Sequence, residues 1–320
     1  MEIHAGNLDY KDRTFVLVAI GALLLLVGIA AAILGPVEMY CFYLFSEGGR
    51  FHYEGFGFGS FMFGNIACQI GGYYLIAAVA IPLGYGHLKV RRWARKLSLT
   101  LLWFWLVVGL PLIVVLFLML VTAKELSVAA VVIVAIALVL SYLALPGLLI
   151  RFYRCRNVRL TFEVHDPKTY WIEELPLPAL VLSSLYIFYI FALHIPILFN
   201  GIVPFFGTFL YDLQGIALLD LLIACLVCLV WGSLRLKAWA WWGSLIYFGM
   251  ATVSSILTLA QSSYADILSL MKFAPTEMDA LQGVPAQGVH FAVLIGIPLL
   301  TTWGMIVLSK RHFGPEGGIS

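Results

Sequence analysis

Eight stretches of this chain run for about 20 residues or more with almost no charged side chain, long enough to cross the roughly 30 Å hydrocarbon core of a bilayer. They cover approximately residues 14–35, 60–86, 97–121, 127–150, 179–200, 209–234, 240–262 and 289–309. In hydrocarbon every backbone N–H and C=O must find its partner inside the protein, and runs of this length do so as helices. The composition agrees. Charged residues make up 11% of the chain and the mean hydropathy is +0.99, whereas a water-soluble domain carries roughly 25% charged residues. The expected fold is an all-α, polytopic transmembrane helix bundle. Its first run exceeds the apolar core of a signal peptide, roughly 7 to 15 residues, so it is read as a retained span even though Ala30, Ala31 and Ala32 imitate a cleavage site.

Loop charges set the orientation. With the N-terminus inside, one face carries Lys11, Arg13, the basic residues of 89–96 and 151–168, Arg235, Lys237, Lys310 and Arg311. That is 16 of the 19 Lys and Arg, leaving Arg50, Lys124 and Lys272 outside. Basic loops stay on the cytoplasmic side, so both termini are expected there. An odd number of spans would scramble the separation. Of the five cysteines only Cys41 falls in an outer loop, so no disulfide framework follows. Cys225 and Cys228 have C-x-x-C spacing inside an apolar helix, with no second pair to complete a metal site, and are read as small core hydrophobes.

An internal repeat divides the chain. GHLKVRRWARKLSL at residues 86–99 and GSLRLKAWAWWGSL at 232–245 agree at a constant offset of 146: Gly86 with Gly232, Leu88 with Leu234, Lys89 with Arg235, Arg91 with Lys237, Trp93 with Trp239, Ala94 with Ala240, Ser98 with Ser244. Four spans separate the copies, so both elements lie on one membrane face and the halves are expected to be parallel four-helix repeats, residues 1–150 and 179–320, joined by a cytoplasmic linker at 151–178. Each element reads as a tight interfacial hairpin in which Gly ends one helix, Arg91 or Lys237 sits among headgroups, and Trp93 or Trp239 anchors the next span. It resembles the G-x-L-x-x-[K/R]-x-W-A-[R/W] turn of several groups of bacterial multi-pass membrane proteins whose activity is not established. The likeness covers about 14 residues in each half. It implies a bacterial cytoplasmic membrane address and brings no reaction with it.

The linker alternates Val158, Leu160, Phe162 and Val164 before Asp166-Pro167-Lys168, a pattern that predicts a short hairpin on the membrane surface. Its arginines suit anionic lipid headgroups rather than nucleic acid, since Glu163, Asp166, Glu173 and Glu174 interleave with them. In the outer loop at about 263–288, Thr276 followed by Asp279 predicts one short helix that Gly283 ends. The run FHYEGFGFGSFMFG at 51–64 fails the G-x-G-x-x-G spacing twice, because the third position falls on Ser60 or Met62. Its glycines are read as packing positions and its aromatics as interfacial.

Polar groups within the spans point to function, because burial in lipid costs several kcal/mol unless a group is paired or hydrated. Asp220 is the one acid deep in an expected span. His194 lies at similar depth on the preceding helix, and Tyr74 occupies the repeat position of Asp220, so the three are candidates for an intramembrane polar pair with an extension. Gly109-Leu110-Pro111 and Gly296-Ile297-Pro298 fall mid-helix, where proline removes a backbone bond, so these helices are expected to line packed interior or a cavity. Glu47, His52 and Glu54, with Glu38 nearby, could offer oxygen and nitrogen to a divalent metal, but their spacing fits no ligand pattern. No H-E-x-x-H, G-x-S-x-G or Walker loop occurs. No cofactor is therefore expected, and the partners are membrane lipid and a small solute of unknown identity. A small-solute or proton-coupled transporter is the reading these features favour, with a membrane-embedded enzyme or a non-catalytic scaffold as alternatives.

Overall fold

The computed structural model describes residues 10–53, 57, 59–122, 127–273, 275–283 and 287–314. Among them are eight helical segments long and apolar enough to cross a membrane. The first three are α1 (Thr14–Phe45), α2 (Phe61–Leu88) and α3 (Arg92–Thr122). The fourth is compound: α4 (Val128–Val139), a π-helical turn (Leu140–Ala144) and α5 (Leu145–Arg154). After α6 (Arg156–His165) and α7 (Trp171–Glu174) come α8 (Leu177–Leu198), a two-stranded hairpin of β1 (Val203–Phe205) and β2 (Thr208–Leu210), α9 (Asp212–Leu234) and α10 (Ala238–Gln261). Two short helices, α11 (Tyr264–Leu270) and α12 (Pro275–Gln282), lead to α13 (Gly288–Leu308). The protein is an integral, multi-pass helical membrane protein.

α1 runs ten residues past its expected end, with Pro36 inside the helix rather than closing it. Its seam with α2 is built on glycine. Gly21, Gly28 and Gly35, seven residues apart, meet His87 and Leu88, then Ala80 and Ile81, then Tyr74 on the antiparallel neighbour. A seven-residue period keeps one stripe facing a partner along a gently supercoiled pair, and glycine lets the backbones close in where no hydrophobic drive separates helix from lipid.

The two W-A turns are built alike. In the first, Val90 has φ 48° and Arg91 N–H donates to Gly86 O at 2.7 Å; in the second, Leu236 has φ 52° and Lys237 N–H donates to Gly232 O at 3.0 Å. The glycines are sterically required: a Cβ at Gly86 would stand 2.7 Å from the Ala94 Cβ and 2.8 Å from the Trp93 ring, and one at Gly232 would stand 2.6 Å from both Ala240 and Trp239. Helix pairing runs in parallel as well. α1 packs on α2 as α8 packs on α9, and α3 packs on the fourth span as α10 packs on α13.

The linker is helical where a hairpin was expected. In α6 the buried positions are Val158, Thr161 and Phe162, which is helical rather than strand spacing. Thr161 made that face look polar, yet its hydroxyl donates to Asn157 O and accepts from Arg13 N–H, so it is fully used inside. Asp12, which starts α1 beside α6, accepts from the Thr14 hydroxyl and N–H, and these bonds hold its carboxyl below the usual carboxylate range. Asp166, 3% exposed, accepts from Arg92 N–H at the start of α3 and pairs with Arg91 at 3.6 Å. With Arg92–Glu173 at 3.2 Å, the linker is clamped to α3. On the other membrane face, where one short helix begun by Thr276 was expected, there are two, α11 and α12; α12 starts at Pro275, so Thr276 lies within it, and it ends at Gln282, just before Gly283. Its Glu277 accepts from Phe61 and Met62 N–H at the start of α2.

Candidate functional site

A cavity of about 1030 Å³ opens between α3, α8, α9, α10 and α13. Its length follows from α10. From Trp239 to Ser255, both on the wall, the helix rises roughly 24 Å, most of the hydrocarbon thickness. The cavity exists because α9 and α10, tightly joined at the W-A turn, diverge above it. Gly243 still faces Leu229 near the turn, and farther out the Tyr247 hydroxyl reaches across, donating to Leu222 O at 3.4 Å. The wall between them includes Cys225, Cys228, Ile246 and Met250, all exposed. The two cysteines are thus on a cavity wall, and the expectation that they are packed core is corrected.

The β1–β2 hairpin closes the outer end. It dips beside α10 to Ser254, seven residues or roughly 10 Å below the helix end, and its backbone is satisfied there. Ser254 Oγ accepts from Phe206 N–H at 2.9 Å and donates to Pro204 O at 3.0 Å, and Thr258 Oγ1 accepts from Gly207 N–H at 2.8 Å. Irregular backbone at this depth needs such partners. Phe206 adopts φ 42°, a left-handed conformation rare for a bulky residue, and its neighbour Gly207 has φ 93°. Strain of this kind persists where the surroundings over-determine it; here the docked N–H and the cavity wall both fix Phe206.

Polar groups on the wall are few. Tyr189 and Thr302 hydroxyls bond each other at 2.9 Å between α8 and α13. Ser255, 8% exposed, has a hydroxyl with no hydrogen bond to any described residue. Pro111, Pro196 and Pro298 all line the cavity, on three different helices. Among the described residues, no carboxylate and no imidazole lies on the wall.

The residues expected to form an intramembrane pair stand elsewhere. Asp220 is exposed on α9, and among the described residues it makes no hydrogen bond or ion pair. His194 is exposed on α8, its Nδ1 2.7 Å from Ile190 O. Tyr74, 44% exposed, lays its ring over Gly35 of α1. No bond joins the three. Of the interfacial residues, Arg91 is held by Asp166, Lys237 is exposed without an ion pair among the described residues, Trp93 is half-buried and Trp239 exposed. Glu47 and His52 are exposed and Glu54 lies outside the described residues; among those described, no three metal-ligating side chains gather.

A fully buried His87 was not singled out from sequence. Its Nε2 lies 2.7 Å from the Tyr153 hydroxyl and 3.4 Å from Ser98, and its Nδ1 2.8 Å from Leu83 O, with the Phe162 ring edge-on. It ties α2, α3, α5 and α6 together near the basic membrane face. A signal was present, because His87 and Ser98 fall within the repeated turn, where the second copy has Ser233 and Ser244 against Tyr186. Compared with protein-family models, with curated proteins and with solved structures, the chain finds no match in any of the three.

Proposed function

We propose that this protein binds a small apolar solute within the bilayer and carries it, as a transporter, through the cavity between α3, α8, α9, α10 and α13. The observation that supports it most is the cavity itself, which is at the large end of the range for small-molecule sites, roughly 300–1,000 Å³, and apolar almost throughout. A membrane enzyme would need a reactive group on that wall, and a scaffold would have no use for a hollow of this size. The divergence of α9 and α10 suits entry from the lipid side. The wider architecture in this proposal is two parallel four-helix repeats, 1–150 and 179–320, around the 151–178 linker, with both termini in the cytoplasm of a bacterial cell. Matching W-A turns, matching helix pairings and the basic face support that reading.

The test is a thermal-shift screen of apolar solutes on the purified chain, repeated with Ala251→Trp, which fills the wall of the cavity. A solute that stabilises the wild type by several degrees and the variant by none supports the proposal. Equal shifts in both, or none across a broad panel, would sink it.

A further inference from the structure

The three helical prolines on the cavity wall, Pro111, Pro196 and Pro298, share a consequence and a depth. Proline has no N–H, so the carbonyl four residues earlier loses its helical donor. For Pro111, Pro196 and Pro298 those carbonyls belong to Val107, Ala192 and Leu294, and all three residues line the cavity too. Val107 lies about fifteen residues from the basic-side end of α3, Ala192 about fifteen from that of α8, and Leu294 about fourteen from that of α13. Each is therefore roughly 22 Å along its helix. Ser255 is about seventeen residues along α10 by the same measure. No side chain among the described residues donates to any of these carbonyls, and the hydroxyl of Ser255, a residue 8% exposed on the cavity wall, makes no hydrogen bond to any described residue. The prolines of α1, α2 and α5 are not on this wall.

We infer that these groups form a single polar level beneath the β1–β2 hairpin, and that it selects the class of ligand. Carbonyl oxygens only accept hydrogen bonds. Three carbonyl acceptors with no side-chain donor, beside the one hydroxyl of Ser255 and no carboxylate among the described residues of the wall, fit an amphiphile whose polar end donates, a neutral hydroxyl above all, with its apolar body extending toward Trp239. An acceptor-only head such as a carboxylate would meet like partial charge. Left empty-handed, buried acceptors are costly, so the donor is what completes the site. The inference rests on the proposed use of the cavity and specifies its ligand.

The experiment places the full chain in lipid nanodiscs with one of three diazirine-bearing C16 probes: the alcohol, its methyl ether or the carboxylate. Cross-linked residues are read by peptide mass spectrometry. The expected result is that the alcohol labels the α9 and α10 wall about tenfold more than the ether, the scale of one buried hydrogen bond, and also more than the carboxylate. In Pro111→Ala/Pro196→Ala/Pro298→Ala the amides return to pair the carbonyls, and alanine is favourable within a helix. There the alcohol should fall to the level of the ether while labelling by the ether holds. Equal labelling by alcohol and ether in the wild type overturns the inference, as does a preference that survives the triple substitution. If no probe reaches the wall, the apolar-solute reading fails and this inference with it.

Discussion

Asp220 stands on an outward face of its helix, within a span, and bonds to no other described residue. It is not itself on the cavity wall, although Ala224, one turn along the same face, is. A carboxylate facing hydrocarbon is costly, so replacing it separates two situations. With Asp220 unpaired, Asp220→Leu should leave the thermal stability of the purified protein within about 1 kcal/mol or raise it. A loss of roughly 2 kcal/mol or more that Asp220→Asn restores would instead establish a hydrogen-bonded partner, with His194 the first to examine. The sequence made the depth of Asp220 legible but not its direction. In a soluble helix the polar face announces the outside, whereas in these spans the lipid side and the packed side are both apolar and the azimuth carries no signal. Gly86 and Gly232 were legible for the opposite reason, since only glycine fits under the Trp93 and Trp239 rings.

At the scale of elements, the α1–α2 seam shows how far spacing can be trusted. Gly21, Gly28 and Gly35 form a heptad stripe readable in the sequence, and each would clash with α2 if it carried a side chain. Gly28→Leu should therefore destabilise the protein by about 2 kcal/mol or more through overpacking. Gly71→Leu, on α2 where a Cβ would meet nothing within 4 Å, should change it little. Thermal unfolding in detergent compares the two, and equal effects would show that close approach is not what the stripe provides. The linker was harder to read. Val158, Leu160, Phe162 and Val164 fit a strand as well as Val158, Thr161 and Phe162 fit a helix, and packing against His87 and α3 decided between them. The β1–β2 hairpin was illegible because its residues, 203–210, are as apolar as the spans around them, and its turn uses Phe206 where Asn or Gly would have announced it.

For the whole molecule, the likeness of the halves at their turns contrasts with their difference higher up. α1 and α2 close along a glycine stripe, while α8 and α9 meet most tightly at the outer end, where Gly201 approaches Gly215, and α10 diverges from α9 to leave the cavity. On the proposed reading the α1–α2 pair is scaffold, and binding falls to the second half together with α3 of the first, whose Val107 and Pro111 line the cavity. That division depends on which membrane face is which. The basic face holds α6 and the W-A turns, and the opposite face holds α12. With the basic face cytoplasmic, a cysteine placed in the exposed α12 by Ala280→Cys should react in intact cells with a membrane-impermeant maleimide. One placed at the end of α6 by His165→Cys should react only after lysis, both in a background where the exposed Cys41 and Cys155 are serine. Reaction at 165 in intact cells would invert the topology, setting the hairpin-covered end of the cavity toward the cytoplasm and reversing the direction from which a solute's polar end would enter.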